Sequence, residues 1–183
     1  MTLVVKDPFG TGPNQTTANV GVANIDGGIT AVEYGNGSFH KTVITIDSVL
    51  PIIAGGANLA VGKLLYTLPS GAVIVNSSKL SVAITQTNAK ITANTPDVGI
   101  GTTIASGAVA VLGGTSTFEN ILTGQTASNC NGTATVKTVA TTLVSELADN
   151  KTVYLNVADG WSTDGDAGAL ITGTVTLVWE YLG

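Results

Sequence analysis

The chain has 183 residues, a formal net charge of −5, and only 10% charged side chains. All seven basic residues are lysines, arginine is absent, and His40 and Cys130 are the single histidine and cysteine. This inventory argues against nucleic-acid binding, which needs clustered cations for the phosphate backbone. It also argues against an enzyme, a metal protein or a cofactor-binding protein, and no cofactor is expected. The 28 threonines, with abundant Val, Ile, Ala and Gly, instead describe packed β surface.

One domain is the expectation at this length, large enough to fold without disulfides or metal. A single cysteine agrees with that. Nothing in Asn129-Cys130-Asn131-Gly132 supplies a cation to activate the thiol, so Cys130 reads as a small buried or half-buried filler. Mean hydropathy is +0.39, yet no apolar run approaches the roughly 18–20 residues of a spanning helix. The strongest, Gly71-Ala72-Val73-Ile74-Val75, ends at Asn76-Ser77-Ser78-Lys79. The first residues are too short and wrongly charged for a signal peptide, so a soluble protein is expected.

In chain order, residues 1–28 come first. Asp7-Pro8-Phe9-Gly10-Thr11-Gly12-Pro13-Asn14-Gln15 has no hydrophobic period, and its two prolines exclude helix and interior strand. The segment reads as an extended N-terminal arm carrying Val4, Val5 and Phe9 as apolar points of partner contact. Residues 29–183 read as the folded body.

Within that body, residues 29–34 and 40–50 form apolar β-rich segments separated by Asn36-Gly37. Pro69-Ser70-Gly71 similarly divides 64–68 from 72–75. From Lys79 onward, Leu80, Val82 and Ile84 alternate with polar neighbours. Gly99-Ile100-Gly101-Thr102-Thr103-Ile104 begins like a dinucleotide fingerprint but lacks the third glycine and a following helix, so it reads as a glycine-containing strand where another backbone or a bulge comes close. Asn131-Gly132 precedes a strand at 133–137. Residues 141–148 suit two helical turns or a strand. Val153, Leu155 and Val157 alternate before Asp159-Gly160, as do Val175, Leu177, Trp179 and Tyr181 at the end. Nine or ten such strands predict an all-β, antiparallel two-sheet sandwich with jelly-roll topology.

Few residues suggest chemistry. Asp159, Asp164 and Asp166 place three carboxylates in eight residues, but without EF-hand spacing or a bidentate Glu, so a solvated loop is expected. No nucleophile elbow accompanies His40, which reads as structural. Asn-x-Ser/Thr triplets are by-products of an Asn/Thr-rich surface in the absence of a leader. Trp161 reads as a cover over one end of the core.

Several of these stretches resemble a known family. Leu68-Pro69-Ser70-Gly71-Ala72-Val73-Ile74-Val75 is similar to a leucine-proline-x-glycine-alanine opening in small virion proteins of tailed bacteriophages and cyanophages. Thr95-Pro96-Asp97-Val98-Gly99-Ile100-Gly101-Thr102-Thr103, Thr117-Phe118-Glu119-Asn120 and Val153-Tyr154-Leu155-Asn156-Val157-Ala158-Asp159 extend the likeness over about 60–160. The resemblance implies a capsid decoration (cement) protein. It would have a jelly-roll body, assemble as a homotrimer in the host cytoplasm and clamp the major capsid protein on the outer virion surface. It implies no catalytic residue, nucleic-acid contact or membrane contact. The competing expectation is a carbohydrate- or receptor-binding module of a phage tail or fibre, using Trp161, Tyr154 and the Asp-rich loop.

Overall fold

Alternation in the sequence becomes alternation between two faces of a sheet. In the computed structural model, described for residues 21–53, 60–106, 112, 117–145, 152–161 and 168–182, Leu80, Val82 and Ile84 point into one core with Val153, Leu155, Val157, Val175, Leu177 and Trp179. Val4, Val5 and Phe9 lie outside the described residues. Burying each large apolar side chain contributes about 1.5–3 kcal/mol, so these alternating sets decide which face of each strand turns inward.

Among the described residues ten strands result: β1 (Val22–Ala23), β2 (Ile29–Asn36), β3 (Phe39–Val49), β4 (Val61–Thr67), β5 (Val73–Thr85), β6 (Asp97–Gly101), β7 (Leu122–Thr126), β8 (Asn131–Ser145), β9 (Thr152–Ala158) and β10 (Leu170–Tyr181). A short 3-10 turn, Ile25–Gly27, follows β1. The first sheet has the order β2-β3-β10-β5-β8 and the second β1-β4-β9-β6-β7, all neighbours antiparallel. No helix among the described residues is long and apolar enough to cross a membrane.

The pairing is nested. β6 pairs β7, β5 pairs β8, β4 pairs β9 and β3 pairs β10. A long antiparallel hairpin with its tip at β6–β7, rolled so that successive pairs fall in alternate sheets, produces that pattern. It is the jelly roll expected from the strand count. β2 extends the first sheet beside β3, and β1 pairs β4 at Val22↔Thr67 and Ala23↔Tyr66.

Pro69-Ser70-Gly71 carries the chain from β4 in the second sheet to β5 in the first, so it makes a crossover between sheets rather than a hairpin. Residues 73–75 and 79–85 belong to one strand, β5, because a bulge joins them. Val75 pairs Trp179 and Ser77 pairs Val178, leaving Asn76 as the extra residue. One added residue reverses the parity, so Val73 and Val75 face the core before it and Leu80, Val82 and Ile84 after it. Asn76 Nδ2 donates to Glu180 Oε1 at 2.8 Å, which anchors the bulge to the neighbouring strand. The strand alternative holds for 141–145, where Leu143, Val144 and Ser145 pair with Val75, Ile74 and Val73. Ladder partners override a weak local helix preference there.

Candidate functional site

The hairpin of β2 and β3 turns at Gly37, whose φ of +56° is a left-handed conformation that glycine adopts without a Cβ penalty. Its register places Gly35 opposite His40 and Glu33 opposite Thr42. Glu33, His40 and Thr42 all face inward and are 0–3% exposed. His40 Nδ1 lies 2.8 Å from Glu33 Oε1, and Nε2 lies 2.8 Å from the Gly37 carbonyl. A doubly protonated imidazole would donate to both acceptors. In that form the contact with Glu33 is a buried ion pair.

Tyr66 reaches this pair from β4 in the opposite sheet, its hydroxyl donating to Glu33 Oε2 at 2.5 Å. Trp179, the β10 partner of His40, stacks on the imidazole and donates from Nε1 to Thr42 Oγ1 at 2.9 Å. Burial, then the hydrogen bond to Glu33, then the Glu33 charge together hold the Tyr66 phenol well above its ordinary range. A carboxylate oriented on an imidazole has the parts of an acid–base dyad. Here both groups are enclosed between the sheets, and no substrate reaches them without opening the sandwich. The cluster ties one sheet to the other.

The other sequence candidates divide in the same way. Gly101 is packed so closely that a Cβ there would lie 2.2 Å from the Phe118 carbonyl carbon. This is the backbone approach expected for the glycine-containing strand. Cys130 is buried, with Sγ 3.4 Å from the Asn94 carbonyl. Trp161 is 4% exposed and belongs to the main core, so its ring offers no face to a sugar. Tyr154 is half-buried on β9. Asp159 Oδ2 accepts from the Leu112 amide at 3.1 Å, while Asp164 and Asp166 lie outside the described residues. No group of three metal-ligating side chains occurs among the described residues.

Sequence reasoning named no sheet face, and here the structure adds a surface. The outward side of the first sheet carries Val32 and Tyr34 from β2 and Phe39, Lys41, Val43, Thr45, Asp47 and Val49 from β3. Beside them stand Leu170, Thr172, Thr174, Thr176, Val178 and Glu180 from β10, with Lys79, Ser81 and Ala83 from β5. Val32, Phe39, Val49 and Leu170 are between 42% and 46% exposed. Nine large apolar side chains are exposed among the described residues, and these four share this one face. Charges on it are sparse: Lys41, Asp47, Lys79 and Glu180. The signal lay in the odd-numbered positions of β3, but only the fold shows which parity faces water.

No protein-family model matches the chain, and no curated protein matches it.

Proposed function

We propose that this protein is a virion structural protein, a capsid decoration (cement) protein that binds the major capsid protein on the outer surface of a tailed-phage head and stabilises the shell. The observation that carries the reading is the open face of the first sheet, broad, β-branched, poor in charge and set with exposed Val32, Phe39, Val49 and Leu170. Such a face joins neighbours through area rather than chemistry. Its few charges limit the desolvation cost of covering it. The likeness of segments within 60–160 to small virion proteins points the same way, and the burial of Trp161 leaves the sugar-binding alternative without its stacking platform. In this reading the protein assembles in the host cytoplasm, and the arm bearing Val4, Val5 and Phe9 contacts the capsid.

The test is co-sedimentation of the purified chain with expanded, undecorated capsids of the parent phage. Stoichiometric binding, weakened when residues 1–20 of the 1–28 segment are deleted so that β1 is kept, is the expected result. Absence of binding at micromolar protein overturns the assignment.

A further inference from the structure

We propose that the outward face of the first sheet is a two-fold self-association surface, on which β3 of one copy lies antiparallel across β3 of a second copy. On this reading the open face joins two copies of the chain, capsid contact falls to the N-terminal arm, and the proposal does not depend on capsid binding.

The outward side chains of β3 read Phe39, Lys41, Val43, Thr45, Asp47, Val49. Read backwards, the series has the same form: an apolar residue at each end, opposite charges one step inside, and two β-branched residues at the centre. A two-fold axis crossing the strand between Val43 and Thr45 therefore sets each Lys41 over the second copy's Asp47. The same operation sets each Phe39 over the other copy's Val49, and Val43 over Thr45. Every contact occurs twice, as an isologous interface requires. A two-fold axis along the strand would instead oppose Lys41 to Lys41 and Asp47 to Asp47, so charge selects the antiparallel arrangement.

The neighbouring strands agree with that axis. It crosses β10 between Thr174 and Thr176, which stand directly beside Thr45 and Val43, so uncharged β-branched residues meet at the centre. On β2, Val32 lies beside Val43 and Thr30 beside Thr45, and the axis exchanges their positions. Glu180, at the far end of β10, is already bound by Asn76. Lys41 Nζ lies 5.6 Å from the centroid of the Tyr34 ring, which stands on the same outward face.

The area is also suitable. Four strands at about 4.8 Å spacing, over a β3 of 11 residues at about 3.4 Å each, present roughly 700 Å². A standard interface buries about 800 Å² per partner. Facing sheets in sandwiches cross at about 30°, which keeps the two β3 strands in register near the axis while the outer strands diverge.

Light scattering of the full chain over a concentration series tests the proposal. The expected mass is twice the 18.3 kDa chain. Lys41→Glu alone and Asp47→Lys alone should each weaken the dimer at least about tenfold by opposing like charges. The double swap Lys41→Glu/Asp47→Lys should restore association, which a folding defect would not do. A monomeric mass at every concentration, a trimer, or a dimer indifferent to both single changes overturns the proposal. Capsid co-sedimentation is read separately, so an intact dimer that fails to bind capsids rejects the cement reading alone.

Discussion

The imidazole of His40 lies flat against the indole of Trp179, with ring centroids 4.2 Å apart and planes 13° from parallel. The two residues are cross-strand partners on β3 and β10. The stack fixes the imidazole plane, which lets one ring edge meet Glu33 and the other the Gly37 carbonyl. Through the Tyr66 hydroxyl, Glu33 then joins the hairpin to the second sheet.

Removing the shared acceptor should therefore be costly. Glu33→Leu leaves the Tyr66 hydroxyl and His40 Nδ1 facing an apolar group, and breaking a buried pair in this way costs about 3–5 kcal/mol. For a chain of this size, thermal unfolding should shift down by roughly 6–20 °C. The triple change Glu33→Leu/His40→Phe/Tyr66→Phe should recover most of that loss, because the buried polar side chains go together and the freed Gly37 carbonyl lies at an exposed turn. Calorimetry on the two variants checks both statements.

Stability should also fall in alkali. The Tyr66 phenol is held above its ordinary value because burial and the neighbouring Glu33 disfavour the phenolate. Below about pH 10 both folded and unfolded chains keep this proton, so its contribution is fully present. Above that pH the unfolded chain loses the proton first, and stability declines until the folded phenol also ionises. Urea midpoints at pH 8, 9, 10 and 11 should drop more steeply for the native chain than for Tyr66→Phe. Parallel curves would contradict the assignment.

Asn156 occupies a comparable position at the other side of the sandwich. Its Nδ2 donates to the carbonyls of Thr103 and Phe118 at 2.9 and 2.6 Å, and its Oδ1 accepts from the Ala105 amide at 2.8 Å. One buried side chain thus holds three loop backbone groups on β9. Each group orphaned by Asn156→Leu costs about 1–3 kcal/mol, so a loss of about 3 kcal/mol or more is expected. Hydrogen exchange at the Ala105 amide should accelerate in the same variant.

Two glycines separate space from conformation. Gly101→Ala drives a methyl group into the Phe118 carbonyl, 2.2 Å away. A shift of β6 against that loop is unavoidable, and a cost of about 3 kcal/mol or more is expected, at the upper end of overpacking. Gly37→Ala meets nothing within 4 Å, and its penalty is only the left-handed backbone, about 1–2 kcal/mol. Denaturant midpoints should rank the two accordingly; equal losses would show that the close approach at Gly101 relaxes freely.

Much of the body was legible because its rules are local. Leu80, Val82 and Ile84, Val153, Leu155 and Val157, and Val175, Leu177 and Trp179 recur at every second position, and all are buried. Asn36-Gly37 marked a true hairpin, and the glycines of β6 marked a close approach. The bulge at Asn76 was hidden, since each short run on either side has a sound period. Its parity change is set by β10, about a hundred residues away in the chain.

The amino-acid sequence by itself determined the class: alternating β-branched strands and turns of Gly and Asn. Hydrophobic period and turn chemistry act over a few residues, so they are readable without a partner strand. Only the tertiary structure decided that Tyr66 would cross between sheets to Glu33, that Trp161 would be buried, and that the self-complementary series on β3 would face outward. Those outcomes depend on which strands become neighbours, and in a nested jelly roll the neighbours of β3 and β4 come from opposite ends of the chain.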